Sequence, residues 1–350
     1  MTVKIKKKTE SFVIHYPEAV NFADDQIKIL WTHGEINVDK DVHDILTNFT
    51  ESEKHAAITG LKLFTLYELK AGADYWTGRF MRTYKRPELL QMASIFGAFE
   101  LAIHKPFYNK INEALHLNTD EFYTSYVKDE TLKARMEFID NAIRDKDDLF
   151  SVGVFSMVEG AILYSTFAFF KHFQSKGKNK LLNLVRGINF SVRDESLHSD
   201  GGAWTFRTHS KEEGRTPEEM AELNKRIQEA GRQIYDHECR IIDMMFEKGD
   251  ISGIRKEDMK TFVASRINIC LGNLGIEPIF VIEQGTNPIE EWFYDSINKF
   301  VYNDFFSGIG REYVRDWNEE AFEWTDNTQE AMAAESVSYT HLTLPTKRIV

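Results

Sequence analysis

The chain has 350 residues, a formal net charge of −12 and a hydrophobic content of 42% that includes 26 Phe and 6 Trp. This composition is sufficient for a sizeable core, and the acidic balance gives no reason to expect nucleic-acid binding. The two cysteines are far apart, the N-terminus lacks an apolar signal sequence, and no stretch approaches about 18 uninterrupted apolar residues, so we expect a reduced, cytoplasmic protein that does not enter a membrane.

Long helices are predicted for most of the chain, from about residue 40 to residue 325. The low content of Pro and Gly, 7 and 20 residues, favours such helices over a turn-rich β protein. No internal repeat and no Gly/Ser linker divides the pattern, so we predict one all-α domain. The predicted helices cover residues 51–71, 87–115, 131–143, 150–174, 178–208, 216–248, 256–274 and 288–306.

Domain boundaries follow from where this pattern begins and ends. We predict an N-terminal extension over residues 1–30, the helical domain over residues 31–325 and a C-terminal tail over residues 326–350. The last segment, residues 336–350, abandons both the helical pattern and the acidic character of the rest. It resembles translated sequencing-adaptor read-through, and we therefore exclude it from functional reasoning.

Several acidic residues and two histidines lie on apolar predicted helices, where an unpaired buried charge would be costly. Glu195 and His198 are three residues apart, a spacing that places a carboxylate and an imidazole on one helical face. Any single member is explained as a satisfied buried charge or a solvated helix position. Together they match the way a four-helix bundle builds a two-metal carboxylate site in its core. The candidate ligands are Asp74, Glu100, His104, Glu159, Glu195 and His198.

The residue types in this set favour hard metal ions such as iron or manganese, which bind carboxylates together with one imidazole each. Four carboxylates around two divalent cations also neutralise the site, which makes its burial tolerable. The surrounding sequence agrees, because Glu159 is the only charged residue in the segment 154–163. That segment is too apolar for a solvated charge.

Residues from Trp31 to about Trp324 resemble the small, radical-generating (beta) subunit of class I ribonucleotide reductase. The resemblance covers over four-fifths of the chain and rests on an ordered set of motifs. These motifs are residues 31–38 followed by Asp41, residues 74–79, residues 193–198, residues 268–274, Asn287 and Pro288 with Trp292, residues 304–306, and Tyr313.

The resemblance implies a ferritin-like helical bundle with additional helices, assembled as a homodimer. It implies an oxidoreductase, the small subunit of ribonucleoside-diphosphate reductase, which starts the reduction of ribonucleotides to deoxyribonucleotides on a separate large (alpha) subunit. Two Fe or Mn ions would be its cofactor, and the sequence does not distinguish the two metals. The ligands implied by the family motifs are Asp74, His104, Glu159, Glu195 and His198.

The same resemblance assigns redox roles to three further residues. Tyr108 lies four residues after His104 and matches the tyrosine that family members oxidise to a stable radical. Trp31 and Asp194, together with His104, resemble the hydrogen-bonded relay that conducts an electron and a proton between the surface and the metals. Asp194 would also orient a ligand histidine, as carboxylates behind metal ligands commonly do.

One position departs from the family pattern. The family has Glu three residues before the first ligand histidine, and here that position is Leu101, with Glu100 one residue further away. The stretch from Asp74 to His104 is also a few residues shorter than usual. A one-residue π-bulge, eased by Gly97, would re-aim Glu100 toward the metals. The alternative is that the bridging ligand is absent, as in relatives that keep the radical on a modified tyrosine without metals.

Two other functions stay open at the level of sequence. A stand-alone dimetal oxygenase or oxidase on the same scaffold would need a substrate cavity but neither Trp31 nor Asp194. A metal-free binding or storage protein would retain the bundle as a scaffold. The family's C-terminal docking peptide, with its radical-path tyrosine, has no convincing counterpart before residue 336, and Tyr339 lies in the excluded segment.

Overall fold

The computed structural model describes residues 4–283 and 285–294, and nearly all regular structure in this part of the chain is helical. An isolated bridge between Ile251 and Ile254 is the one β interaction found there, so the predicted all-α class is confirmed. The helices are α1 Pro17–Lys28, α2 Asp39–His43, α3 Glu51–Leu69, α4 Met81–Thr83, α5 Pro87–Phe99, α6 Lys105–Ala114, α7 Asp120–Lys128, α8 Glu130–Arg144, α9 Asp148–Ala161, α10 Tyr164–Lys171, α11 Leu182–Glu213, α12 Pro217–Met245 and α13 Lys256–Leu274.

Some predicted helices differ from the observed ones in their limits. The predicted helix 150–174 is divided into α9, α10 and a 3-10 turn at His172–Gln174. The short helices α1, α2 and α7 were not predicted. The predicted helix 288–306 is helical over residues 288–294, and its remainder lies outside the described residues, as do the motifs at 304–306 and Tyr313 and the tail 326–350.

Two long helical runs contain π-helical segments. The segment Lys70–Phe80 joins α3 to α4, and the segment Glu100–His104 joins α5 to α6. A Cβ added at Gly72 would lie 2.9 Å from the Cβ of Glu100, and one added at Gly97 would lie 2.5 Å from a side-chain carbon of the first π segment. The two runs therefore touch so closely that only glycine fits at both positions.

Helix α9 lies at the centre of the bundle. It packs against α11, α12 and α13, and nearly every residue along it is buried. Its contact with α11 is close, because the hydroxyls of Ser156 and Ser199 each donate to the other residue's backbone carbonyl, at 2.7 and 2.8 Å. The segment Asp148–Gln174 is long and apolar enough to span a membrane, but its apolar window is entirely buried inside the protein, as expected of a core helix.

Local sequence signals explain where several helices begin and end. Thr50 caps α3 and Thr216 caps α12, and in each case a Glu three residues later accepts a hydrogen bond from the cap residue's backbone N–H. Helices α11 and α13 end at Gly214 and Gly275, which adopt left-handed conformations with φ of 68° and 78°.

At the N-terminus, α1 packs against α5 and α11, so part of the predicted extension lies on the bundle.

His172 generates a prediction about acid stability. It is fully buried directly after α10, and burial lowers its pKa to about 3. In an unfolded chain the same imidazole protonates below about pH 6.5. Folded protein therefore loses stability as the pH falls from about 6.5 toward 3, by up to about 1.4 kcal/mol per pH unit from this group. We expect His172→Gln, which does not titrate, to weaken this loss in urea unfolding of metal-free protein between about pH 7 and 4.5.

The matched control is His43→Gln, which removes an exposed imidazole. The His43→Gln protein should keep the parent's loss of stability at acid pH, because its buried His172 is unchanged. Parallel pH dependences for the parent and the His172→Gln protein would contradict the prediction, because the buried imidazole would then not contribute to the acid limb.

Candidate metal centre

Four carboxylates and two imidazoles meet inside the bundle. They come from four separate helical runs: the end of α3, the π segment between α5 and α6, α9 and α11. Each residue is at most 1% exposed. We refer to this set as the carboxylate–histidine cluster, and it consists of Glu68, Glu100, His104, Glu159, Glu195 and His198.

The cluster divides into two overlapping groups of four. One potential ligand atom from each member of a group lies within 4.8 Å of those of the other members. Both groups contain Glu100 and Glu195, whereas each has its own histidine and its own further carboxylate. The first group adds Glu68 and His104, and the second adds Glu159 and His198. This geometry gives two adjacent groups of potential ligands that share two carboxylates.

The imidazoles lie against the shared carboxylates. His104 Nδ1 is 3.2 Å from Glu100 Oε2, 3.4 Å from Glu195 Oε1 and 3.6 Å from Glu68 Oε2. His198 Nδ1 is 2.6 Å from Glu100 Oε1 and 3.7 Å from Glu195 Oε2. The same nitrogen type, Nδ1, therefore faces the cluster in both histidines, while His104 Nε2 is 3.0 Å from Asp194 Oδ2, outside the cluster.

Asp74, which was predicted to be a ligand, lies apart from the cluster in the structure. Its side chain is 50% exposed and forms an ion pair with Lys70 at 3.1 Å. Lys70 also contacts Asp140 at 2.7 Å, so Asp74 lies in a charged surface site between the first π segment and α8. Glu68, at the inner face of α3, takes the position that was expected for Asp74.

The sequence contained one signal for this difference in position. The stretch from Asp74 to His104 is shorter than the family pattern requires, and starting from Glu68 lengthens it by six residues. Glu68 was not predicted because it lies two residues before Lys70 and has no motif around it. Tyr67 and Trp76, which contact the cluster, and Gln26, which contacts Asp194, were not predicted either.

Glu100 reaches the cluster through the second π segment. The segment Glu100–His104 begins at Glu100 itself and places its carboxylate 3.2 Å from His104 and 2.6 Å from His198. Leu101, the position at which the family pattern has Glu, points elsewhere. Its side chain packs against Gly72, where an added Cβ would lie 2.6 Å from Leu101 Cγ. The widened turn thus aims Glu100 inward in the manner expected from the sequence.

Electrostatic repulsion and burial determine where protons reside in the metal-free cluster. Burial, with repulsion from Glu100, raises the pKa of Glu68 well above its usual value. Burial, with repulsion from Glu195, does the same for the pKa of Glu159. Burial opposes charge on Glu100 as well, but the two imidazoles lower its pKa well below the usual value.

The same carboxylates hold protons on the histidines. Burial alone would lower the pKa of both imidazoles, but the negative charge of Glu100 outweighs it. The pKa of His104 is raised well above its usual value, and that of His198 is raised to about 9. Metal-free protein at neutral pH therefore carries imidazolium groups where metal ligands would have to be neutral.

The residues present fit a metal pair. Both carboxylate oxygens of Glu68 and of Glu195, and Nε2 of His198, lack hydrogen-bond partners among the described residues. Buried polar atoms in native proteins are nearly always paired, and unpaired ones indicate a missing partner such as an ion. Carboxylate oxygens with one imidazole per position are the donor set of iron or manganese.

Glu159 is held by two aromatic donors. Tyr67 donates its hydroxyl to Glu159 Oε2 at 2.8 Å, and Trp76 donates its indole N–H to Glu159 Oε1 at 2.6 Å. Both donors are 1% exposed. Because each oxygen has one donor and a second lone pair free, Glu159 is fixed in orientation but still able to bind a cation.

On the other side of the cluster, Asp194 connects His104 to Trp31. Asp194 Oδ2 accepts from Trp31 Nε1 at 2.7 Å and lies 3.0 Å from His104 Nε2. Gln26 donates to the other oxygen, Oδ1, at 3.0 Å. The rings of Trp31 and His104 also stack, with centroids 6.0 Å apart. The expected Trp31–Asp194–His104 chain is therefore continuous in the structure.

Tyr108 is fully buried one turn after His104. Its ring stacks on Phe64 with centroids 4.0 Å apart and contacts Phe107 at 4.9 Å. Its hydroxyl has no hydrogen-bond partner among the described residues, although Ser191 is close enough to influence it, and burial raises the pKa of the phenol well above its usual value. The surroundings are thus apolar and closed to water.

Comparisons with known proteins agree with this arrangement. The sequence model of the family described as "Ribonucleotide reductase, small chain" matches residues 8–288. A probable ribonucleoside-diphosphate reductase small subunit of Invertebrate iridescent virus 3 is 25% identical over 324 residues, which cover 86% of this chain and 82% of that protein. Subunit beta of ribonucleoside-diphosphate reductase 2 of Escherichia coli K12 is 26% identical over 232 residues, 63% of this chain and 70% of its own.

Solved structures support the fold. The dimanganese(II)-NrdF of Streptococcus sanguinis superposes with a TM-score of 0.72 at 20% identity and covers 82% of this chain and 99% of that one. A putative class I ribonucleotide reductase from Bacillus halodurans gives a TM-score of 0.70 at 22% identity, over 79% of this chain and all of that one. The predicted ferritin-like bundle is confirmed, and the chain belongs to the ribonucleotide reductase small-chain family, the small subunit of an oxidoreductase.

Proposed function

We propose that the carboxylate–histidine cluster binds two Fe or Mn ions and that Tyr108 stores the resulting oxidising equivalent as a radical for use on a separate large subunit. The observation that supports this most directly is the pair of overlapping ligand groups that share Glu100 and Glu195. A site for one ion would not need two histidines on opposite sides of two common carboxylates.

In this proposal the ligands divide by group. Glu68 and His104 would help to hold one ion, Glu159 and His198 would help to hold the other, and Glu100 and Glu195 are available to both. The metal pair, when bound, would supply the one-electron oxidant. The protein contributes a closed interior, fixed ligand orientation and neutral imidazoles once the protons have left.

Tyr108 is suited to hold the oxidising equivalent because its ring is enclosed by Phe64 and Phe107 and is shielded from water. Trp31 and Asp194 are suited to pass it on, because one carboxylate oxygen of Asp194 contacts both the indole N–H and the ligand imidazole. A stand-alone oxygenase would have no use for this chain of contacts. The continuous Trp31–Asp194–His104 connection thus favours radical transfer to a partner.

The partner in this proposal is the large (alpha) subunit, on which the nucleotide is reduced. The chain itself has two isolated cysteines, Cys239 and Cys270, and both are free; it also lacks a glycine-rich phosphate loop. We further propose that it acts as a homodimer in the cytoplasm, in the synthesis of deoxyribonucleotides. Either iron or manganese satisfies the donor set.

The position of Glu68 gives a prediction with two readouts. We expect Glu68→Gln to lose one of the two bound ions, because an amide replaces the only carboxylate that is unique to the first group. In metal-free protein the same change should be stabilising above about pH 4.5, since the raised pKa of Glu68 makes the folded state less stable as the pH rises. Metal analysis and urea unfolding at several pH values measure the two effects.

The control for this experiment is Asp74→Asn, which alters an exposed carboxylate outside the cluster. It should leave the number of bound ions unchanged. A loss of metal in Asp74→Asn with full retention in Glu68→Gln would reinstate Asp74 as the ligand and reject the assignment of Glu68.

Metal uptake should release protons from the cluster. The carboxylates raise the pKa of His104 well above its usual value and that of His198 to about 9, so both imidazoles hold a proton at pH 7. A bound metal ion requires each ligand imidazole to be neutral. We expect net proton release on metal uptake at pH 7, measured with a pH indicator in weak buffer. Release of none would contradict the protonated state of the two histidines.

Tyr108→Phe tests the radical assignment. Because the hydroxyl of Tyr108 has no hydrogen-bond partner among the described residues, its loss should leave folding and metal content intact. The stable organic radical seen by electron paramagnetic resonance in the aerobic, metal-loaded parent should disappear in the variant. An unchanged stable signal would place the radical on another residue.

A further inference from the structure

Three aromatic residues form a stripe that leads away from the cluster. Trp76, Phe80 and Tyr84 are spaced four residues apart along the run from the first π segment through α4, and each is at most 2% exposed. The ring centroids of Trp76 and Phe80 are 5.1 Å apart, and those of Phe80 and Tyr84 are 4.6 Å apart. The stripe is therefore a continuous line of ring contacts.

The inner end of the stripe contacts the second group of ligands. Trp76 donates its indole N–H to Glu159 Oε1 at 2.6 Å, and its ring meets that of His198 at 6.0 Å. Trp31 has the corresponding relation to the first group, with its ring 6.0 Å from that of His104. Each cation position thus has one tryptophan beside its histidine.

The outer end of the stripe is a phenol paired with an imidazole. The hydroxyl of Tyr84 lies 3.0 Å from Nδ1 of His209, and His209 is fully buried. Burial lowers the pKa of His209 to about 4, so the imidazole is neutral at pH 7 and can accept the phenolic proton at Nδ1. Charged groups near the surface follow, among them the ion pair of Lys6 with Asp148.

The hydroxyl of Tyr84 differs from those of two other buried tyrosines in facing a base. Tyr75 and Tyr126 are equally buried tyrosines, yet their hydroxyls have no hydrogen-bond partner among the described residues. Tyr84, by contrast, faces a base, and Trp76 faces a carboxylate. Tyr84 therefore has a base for its phenolic proton, and Trp76 has a carboxylate that stabilises positive charge on its indole, whereas Phe80 between them only carries the contact.

We propose that Trp76 and Tyr84 form a second redox route, which carries oxidising equivalents away from the metal centre when Tyr108 does not capture them. This inference rests on the proposed function, since the oxidant is the oxidised metal pair. The route leaves the cluster from the Glu159–His198 group, opposite the Trp31–Asp194–His104 chain. Its function would be to protect the ligands from oxidation.

The electrons and protons balance along this route. Trp76 gives one electron to the oxidised metal pair and becomes an indole radical cation, with its N–H still bonded to Glu159. Tyr84 then gives one electron to Trp76 and passes its phenolic proton to His209 Nδ1, leaving a neutral phenoxyl radical and an imidazolium. A small-molecule reductant such as ascorbate or a thiol returns one electron to Tyr84, and His209 returns the proton.

The test uses the full chain carrying Tyr108→Phe, so that the proposed storage residue is absent. The protein is loaded with Fe(II) and exposed to oxygen, radicals are recorded by rapid-freeze electron paramagnetic resonance, and oxidised residues are mapped by mass spectrometry. We expect a transient tyrosyl signal and oxidation products at Trp76 and Tyr84. Adding Tyr84→Phe should abolish the tyrosyl signal and increase the products at Trp76.

Two further variants in the same background separate the route from general damage. His209→Gln keeps a hydrogen-bond acceptor but removes the base, and it should behave as Tyr84→Phe does. Tyr126→Phe removes a buried phenol outside the stripe, and it should change neither the signal nor the products. Metal content is measured in every variant to show that the ligands are retained.

The outcomes distinguish this inference from the proposed function. If the parent binds metal and forms the Tyr108 radical, but the Tyr108→Phe protein shows no oxidation at Trp76 and Tyr84, the route is overturned and the proposed function stands. Equal oxidation at Tyr126 also overturns it. A parent protein that takes up no metal overturns both.

Discussion

The structure depends on making four carboxylates tolerable in the middle of a helical bundle. Buried acids repel one another and lose hydration, so they persist only when cations or protons balance them. In this protein protons contribute to the balance when metal is absent, because burial and mutual repulsion raise the pKa values of Glu68 and Glu159, and the carboxylates raise the pKa values of both histidines. Metal ions must displace protons from the same groups in order to bind.

Much of this arrangement was predictable from sequence because it follows helical periodicity. The long helices, the inward positions of Glu159 and Glu195, and the pairing of Glu195 with His198 all depend on spacing within one helix. The position of Glu100 was one of two possibilities that the sequence left open, and the π segment Glu100–His104 brings its carboxylate into the cluster.

Glu68 was not predictable in the same way. Its selection over Asp74 depends on which face of a 30-residue run points inward, and the 11-residue π segment Lys70–Phe80 shifts that face beyond what an α-helical period can indicate. The close crossing at Gly72 and Gly97 is likewise a property of two runs together. The boundaries of short helices such as α7 were missed because they have too few turns to show a period.

The two tryptophans beside the cluster donate to different carboxylates, Trp31 to Asp194 and Trp76 to Glu159, and this difference determines which redox reaction each of them suits. Trp31 reaches His104 through Asp194, which belongs to neither ligand group, so a proton can move along that chain without removing a ligand. Trp76 is bonded to Glu159, where an added proton would compete with a metal ion. Trp31 thus suits reversible transfer of an electron with a proton, whereas Trp76 suits electron transfer alone and must pass the charge to Tyr84, whose own base is His209.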